Sequence, residues 1–160
     1  MIVVSDTSPI CYLLLIGEIE LLAKLYGKVL IPQVVQQELL DAASPEVVRN
    51  WIGNPPGWLE IEIVDLNVSE GLTDLEILDP GEKSAIALAQ QRKADLIIID
   101  DGLGRQVACS LGLKITGLLG VLDEAAKRDL VNFPQAILCL QTTTFRASAQ
   151  LIQSLLERYR

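Results

Sequence analysis

Acidic side chains follow two apolar runs of the sequence, at the point where each run ends. Asp6 comes directly after the run at 2–5, and the pair Asp100 and Asp101 comes directly after the aliphatic run at 96–99. In open parallel sheets, ligands bind outside the carboxyl ends of the strands, so residues that follow strands are the first candidates for chemistry. Taken alone, Asp6 or the pair Asp100 and Asp101 is better explained as the N-cap of the next helix.

Two glutamates are predicted to lie on the apolar sides of helices. Glu38 follows Val35 by three residues, and Glu82 precedes Ala85 by three and Ala89 by seven. These spacings place each glutamate on the same helix face as its apolar neighbours. Complementation of the helix dipole in the first turn is the alternative for Glu82. A carboxylate on a buried face must be paired or must bind a metal ion.

Together these residues predict a metal site with oxygen ligands. Asp6, Glu38, Glu82 and Asp101, with Asp100 as an additional or alternative ligand, would repel one another unless they were protonated or neutralised. Carboxylate oxygens suit Mg²⁺ or Mn²⁺ rather than zinc. Such an ion keeps several waters and is completed by a substrate phosphate, so we expect hydrolysis of a phosphodiester.

The composition excludes several other chemistries. The 160 residues include no histidine, which excludes Ser-His-Asp catalysis and nearly all zinc sites. The formal net charge of −8 opposes passive binding to polyanions and favours a basic protein partner.

Cys11, Cys109 and Cys139 are odd in number and lack C-x-x-C spacing, which predicts reduced, buried thiols. Because no transmembrane run or secretory signal is found, we expect a cytoplasmic protein without membrane association.

Strand and helix patterns alternate along the chain. Buried strands are predicted near 2–5, 28–31, 96–99 and 113–116, with an edge strand at 59–64. Helices are predicted from 7–9 onward and at 32–42, 44–51, 79–93, 104–111, 120–127, 134–140 and 147–158. Alternation of this kind predicts an α/β fold, a three-layer α/β/α sandwich with a mainly parallel sheet. We expect one domain over 1–160, with a C-terminal helical extension from about 130 and a polar rim loop at 67–78.

The acidic motifs resemble those of the PIN domain family. The matching segments are VSDTSP at 4–9, VVQQEL at 34–39, GEKSAI at 81–86 and IIIDDGLGR at 97–105. They occur in the family's order across about 1–123, and the subgroup most resembled is similar to VapC-type toxins. The resemblance implies a Mg²⁺- or Mn²⁺-dependent endoribonuclease whose acidic quartet is Asp6, Glu38, Glu82 and Asp101. It also implies a homodimer and an antitoxin-like basic partner.

Three further residues are predicted to contact the RNA substrate. Ser8 matches a hydroxyl near the first aspartate of the family, where it would orient that carboxylate. Lys83 adjoins Glu82, and Arg105 lies one helical turn beyond Asp101, so both are placed to reach a phosphate. Ordinary surface charge or an ion pair is the alternative for both cations.

Two other functions remain open at this stage. Phosphatases of the haloacid dehalogenase type also place an aspartate after the first strand, but they need a second aspartate two residues later, where this chain has Ser8. A PIN-fold module that only binds nucleic acid or protein, without catalysis, is the other alternative. The four carboxylates favour the nuclease over both.

Overall fold

A computed structural model of the chain describes residues 1–66 and 78–159, and its centre is a five-stranded sheet with the order β3-β2-β1-β4-β5. All neighbouring strands are parallel. The strands are β1 (Val3–Ser5), β2 (Val29–Pro32), β3 (Leu59–Glu62), β4 (Leu96–Ile98) and β5 (Ile115–Thr116). Apart from Leu78, the predicted rim loop at 67–78 lies outside the described residues.

Nine helices flank the sheet within the described residues. They are α1 (Thr7–Leu15), α2 (Leu21–Tyr26), α3 (Gln33–Leu40), α4 (Glu46–Gly53), α5 (Pro80–Gln91), α6 (Gly102–Ser110), α7 (Leu118–Lys127), α8 (Phe133–Gln141) and α9 (Ala149–Glu157). The bounds of most of them agree with the sequence pattern to within two residues, the usual uncertainty of helix ends.

Apolar side chains on both faces of the sheet hold the helices in two layers. Because side chains alternate along a strand, Val3 and Ile98 face the core beneath α1, α2, α4 and α7. Val4 and Ile97 face the opposite core, beneath α5 and α6. The predicted three-layer α/β/α sandwich is therefore confirmed, and in the described residues its sheet is parallel throughout.

The strand order reverses between β1 and β4. From β1 the chain builds β2 and β3 on one side, and then crosses to build β4 and β5 on the other. Ser5 is in register with Ile98, and the Asp6 backbone N–H donates a hydrogen bond to the Ile98 carbonyl at 2.9 Å. This reversal is the usual position of a ligand site in an open α/β sheet, and it brings the residues after β1 and β4 side by side.

Two helices differ from the sequence prediction. The short helix α2 was not predicted, because six residues are too few to show a helical period. Helix α3 ends at Leu40 rather than near Ala42, since Asp41 leaves the helical conformation and its side chain accepts a hydrogen bond from the Ala43 backbone N–H at 2.8 Å. Ala42 consequently lies outside the helix and is exposed.

The C-terminal helices pack onto the same core. Phe133 is buried and stacks on Tyr159 with ring centroids 4.8 Å apart. The carboxyl group of Asp123 in α7 accepts hydrogen bonds from the Tyr159 hydroxyl at 2.5 Å and from Arg158 at 3.2 Å. These contacts tie the end of α9 to α7.

The three cysteines are free, as expected, but they are not all buried. Cys109 is exposed and Cys11 and Cys139 are half-buried, so the prediction of buried thiols is wrong for Cys109 and only partly confirmed for the other two. It lies on the outer side of α6, whose buried side is formed by Val107 and Ala108. Across 1–66 and 78–159, none of the helices is long and apolar enough to cross a membrane.

Candidate active site

Two adjoining cavities open where β1 and β4 end. The larger has a volume of about 670 Å³ and the smaller about 360 Å³. Asp6 and Glu82 line both of them, and we call the two together the acidic cavity. Its carboxyl groups are those of Asp6, Glu38, Asp41, Asp79, Glu82, Asp100 and Asp101. All five carboxylates predicted as ligands therefore lie around one space, together with Asp79 and with the exposed Asp41.

Asp6 lies at the floor of this cavity with only 5% of its surface exposed. It precedes α1 in the N-cap position, but its side chain makes no capping hydrogen bond, so the capping explanation fails for this residue. Burial raises the pKa of Asp6 to about 7, and the charges of Asp79, Glu38 and Asp100 add to the increase. Near neutral pH the group is therefore divided between its protonated and ionised forms.

Glu38 reaches the cavity from α3 and is held by two neighbouring elements. The Thr7 hydroxyl donates a hydrogen bond to Glu38 Oε1 at 2.5 Å. The backbone of Gly81 lies so close that a Cβ at this position would collide with the same oxygen. Glu38 is half-buried at the edge of the buried stripe that Val35 forms, and burial raises its pKa.

Glu82 faces the sheet, as its helical phase predicted, and is 8% exposed. Asp79 caps α5 by accepting a hydrogen bond from the Glu82 backbone N–H at 2.9 Å. The pKa of Glu82 is raised to about 8, mainly by burial, and the negative charges of Asp79, Asp101 and Asp6 also raise it. The two most buried carboxyl groups of the cavity, Asp6 and Glu82, thus both titrate near neutral pH.

Asp79 is a site residue that the sequence analysis missed. It opens the helix predicted at 79–93, and the structure shows that it caps this helix. The signal that it also faces the cavity is its spacing of three residues from Glu82, because an N-cap side chain and the side chain at the third helical position meet at the helix start. The same spacing that begins α5 therefore brings a second carboxylate against Glu82.

Asp100 and Asp101 each cap a different helix. Asp101 Oδ2 accepts a hydrogen bond from the Gly104 backbone N–H at 3.0 Å, which caps α6. Asp100 Oδ1 accepts from the Leu118 backbone N–H at 2.8 Å, at the start of α7. A Cβ on Gly117 would lie only 2.5 Å from this oxygen, so a glycine is needed there. Burial raises the pKa of Asp100.

The second oxygen of Asp100 lacks a partner. Asp100 Oδ2 is buried without a hydrogen bond in the described structure, whereas buried polar atoms in proteins are nearly always paired. Asp101 is more exposed. Both residues line the smaller cavity, so the structure keeps both as candidate ligands.

The predicted substrate-binding residues take three different positions. Ser8 lines both parts of the acidic cavity. Arg105 donates from Nη1 to the Ile99 carbonyl at 3.0 Å and lines a neighbouring groove rather than the acidic cavity. Lys83 is half-buried and lines neither part of the cavity. Their contacts with RNA stay predictions.

Arg146 is a positively charged residue of the acidic cavity that lies outside the predicted motifs. It belongs to the loop between α8 and α9 and lines the smaller part of the cavity. No local pattern predicts this position, since it depends on a tertiary contact between the loop and α1.

The donor chemistry of the cavity fits a hard divalent cation. Within the described ranges, no three carboxylates come close enough to form a preformed metal cluster. Mg²⁺, however, is typically bound by one or two carboxylates, with water and substrate phosphate completing its shell. The unpaired oxygen of Asp100 and the raised pKa values of Asp6 and Glu82 are features that a nearby cation would relieve.

Comparison with known proteins assigns the chain to a family. No curated protein and no solved structure showed significant similarity to it. The family model DUF3368, described as a PIN domain, matches residues 2–160, a range that contains every carboxylate of the acidic cavity. The match does not distinguish the VapC-like subgroup from other members. It does cover nearly the whole chain, and on this evidence the chain belongs to the PIN domain family.

Proposed function

We propose that the chain is a metal-dependent ribonuclease that hydrolyses phosphodiester bonds in the acidic cavity. The observation that carries this proposal is the pair of buried carboxyl groups, Asp6 and Glu82, which line both parts of the cavity where the strand order reverses. Membership of the PIN family supports it, since PIN domains are typically nucleases.

Asp6 and Glu82 would hold the cation, with Asp100 or Asp101 as a further ligand. A bound Mg²⁺ or Mn²⁺ ion would supply polarisation of the phosphate and a lowered pKa for a bound water. Asp6 presents its carboxyl group from the rigid end of β1, and Glu82 from the first turn of α5. Ligands on rigid elements keep their geometry better than ligands on loops.

Glu38 and Ser8 would support the ligands of the cation. Glu38 is held in place by Thr7. We assign it to the acidic quartet as a carboxylate whose negative charge helps to balance the positive charge of the cation. Ser8 lines the cavity beside Asp6, where its hydroxyl would orient that carboxylate or a phosphate oxygen.

The finer features of the proposal concern partners. The formal net charge of −8 supports a basic, antitoxin-like protein partner, because opposite charge steers association. We propose a VapC-like toxin role and a homodimer on the family resemblance. The haloacid dehalogenase alternative gains nothing from the structure, since Ser8 occupies the position of the second aspartate that such phosphatases need.

The decisive experiment is a cleavage assay on purified protein. Single-stranded and structured RNAs, with DNA of the same sequence, are incubated with Mn²⁺, with Mg²⁺ or with EDTA. The enzymes compared are the unaltered protein, Asp6→Asn, Glu82→Gln and the exposed control Asp129→Asn. We expect RNA cleavage that needs the metal and falls by roughly 100-fold or more in the two cavity variants, beyond the loss typical of a residue that only supports a ligand.

Four results would contradict the proposal in whole or in part. Cleavage that continues in EDTA would contradict the requirement for a metal ion. Cleavage that survives both Asp6→Asn and Glu82→Gln would contradict the assignment of the reaction to the acidic cavity. Turnover of a phosphomonoester with a phosphorylated Asp6 would support the phosphatase alternative instead. Cleavage of DNA but not RNA would keep the nuclease and overturn its assignment to RNA.

A further inference from the structure

The loop between α8 and α9, residues 142–148, lies against the acidic cavity although no acidic motif belongs to it. Thr144 lines both parts of the cavity, and Phe145 and Arg146 line the smaller part. We infer that Arg146 is a substrate-binding residue that holds a phosphate of the nucleic acid next to the phosphate that is cleaved. This inference rests on the proposed nuclease function and adds to it a residue that binds the nucleic-acid strand.

Helix α1 fixes the loop relative to Asp6. The Tyr12 hydroxyl is hydrogen-bonded to Thr144 Oγ1 at 2.8 Å. The Tyr12 ring also meets the Phe145 ring edge to face, with centroids 5.3 Å apart and an interplanar angle of 77°, which is a favourable aromatic geometry. Because α1 begins directly after Asp6, the helix that starts at the cavity floor also positions Arg146 at its edge.

The guanidinium of Arg146 has unused hydrogen-bonding capacity. Its Nη1 donates only to backbone carbonyls of its own loop, those of Phe145 at 3.0 Å and Thr143 at 3.4 Å. None of the ion pairs among the described residues involves Arg146, whereas Arg92, Arg128 and Arg158 are all paired with carboxylates. A guanidinium carries five N–H donors and binds phosphate in a bidentate manner.

An acidic cavity needs such a cation if a phosphate is to enter it. Among the described residues that line the two parts of the cavity, Arg146 is the one that carries a positive charge. The surrounding carboxylates and the net charge of −8 repel a polyanion. A bound metal ion offsets this repulsion at the cleaved phosphate but not at its neighbour, which Arg146 is placed to meet.

A groove beside the cavity shows where the strand would continue. This groove has a volume of about 520 Å³ and is lined by Arg105 and Arg146 together with Phe145. Asp100, Phe145 and Arg146 line both the smaller part of the acidic cavity and the groove, and Arg146 is the cation among them. A strand that runs from the cavity into the groove passes these three residues, so binding by Arg146 requires a substrate with at least two consecutive phosphates.

The inference is tested by steady-state cleavage of a short single-stranded RNA with Mn²⁺. Arg146→Gln is compared with Arg146→Lys and with the control Arg128→Gln, which removes the same charge from an exposed arginine paired with Glu124. We expect Arg146→Gln to raise KM by about 10-fold or more, as for a lost hydrogen bond to a charged group. We expect kcat to change little and Arg146→Lys to recover part of the loss.

Salt dependence and stability separate this role from a structural one. If one phosphate contact is lost, the slope of log(kcat/KM) against log salt concentration should become shallower by about 0.7 in Arg146→Gln. The melting temperature should equal that of Arg128→Gln. Tyr12→Phe, which removes the hydroxyl that tethers Thr144, should raise KM in the same direction by a smaller factor.

Failure of this inference is distinguishable from failure of the proposed function. If the unaltered protein cleaves RNA but Arg146→Gln has the KM and salt slope of Arg128→Gln, the role of Arg146 is overturned and the nuclease stands. A lowered melting temperature with an unchanged KM also overturns it, because the loop then serves only the fold. If the unaltered protein cleaves no RNA with either metal, both fall.

Discussion

Replacement of Asp6 by asparagine is expected to stabilise the metal-free protein at high pH. Burial raises the pKa of Asp6 from its usual value of 3.8 to about 7, so the folded protein holds this proton more tightly than the unfolded chain does. Below about pH 4 both states are protonated, and no penalty exists. As the pH rises from about 4 to 7, only the unfolded chain loses the proton, and the free energy of unfolding falls.

The magnitude follows from the size of this pKa change. A rise of about three pKa units corresponds to a loss of about 4 kcal/mol between low and high pH. Because Asp6 is only 5% exposed, solvent screening reduces this figure little. Asparagine does not titrate, so the free energy of unfolding of Asp6→Asn minus that of the unaltered protein should grow by about 2–3 kcal/mol from pH 5 to pH 8.

The assay is urea unfolding followed by circular dichroism in EDTA at pH 5 and pH 8. The control is Asp129→Asn, the same chemical change at an exposed position. Glu82 titrates in both proteins, and loss of the Asp6 charge lowers its pKa in the variant, which adds to the expected difference in the same direction. A difference between Asp6→Asn and the unaltered protein that is the same at both pH values would refute the reasoning, because Asp6 would then carry no buried charge.

The remaining predictions concern the cavity, the C-terminal helix and the metal. Gly81→Ala should displace the Glu38 carboxylate that occupies this space, and should lower metal-dependent cleavage by about 10-fold, as a lost supporting contact does. Asp123→Asn weakens the contacts of α7 with Arg158 and Tyr159, and should destabilise α9 by about 1–3 kcal/mol, measured by amide exchange in that helix. Mn²⁺ should raise the melting temperature more at pH 8 than at pH 6, since protons compete for Asp6 and Glu82.

Much of the site could be predicted from local sequence pattern. Asp6 and Asp100 follow aliphatic runs, and the parallel pairing of β1 with β4 brings those run ends together. The inward direction of Glu82 follows from the 3.6-residue period of its helix, and its low exposure confirms it. Period and strand ends are local properties, which is why a single sequence reveals them.

The rest depends on contacts between distant parts of the chain. Asp100 is oriented by the Leu118 backbone, 18 residues away, and Arg146 by Tyr12 of the first helix through Thr144. Such contacts form only after the layers pack, and they leave no period in the sequence. Asp79 was missed for a different reason: its local role as a cap is correct and hides its second role in the cavity.

The central claim is that Asp6 and Glu82 bind a divalent cation, and titration calorimetry with Mn²⁺ at pH 8 tests it most directly. The unaltered protein and Asp129→Asn should bind Mn²⁺ with the same affinity, while Asp6→Asn and Glu82→Gln should each bind it at least about 10-fold more weakly. If the unaltered protein does not bind Mn²⁺, or if both cavity variants bind it as tightly as the unaltered protein, the metal-dependent nuclease proposed for this cavity is contradicted.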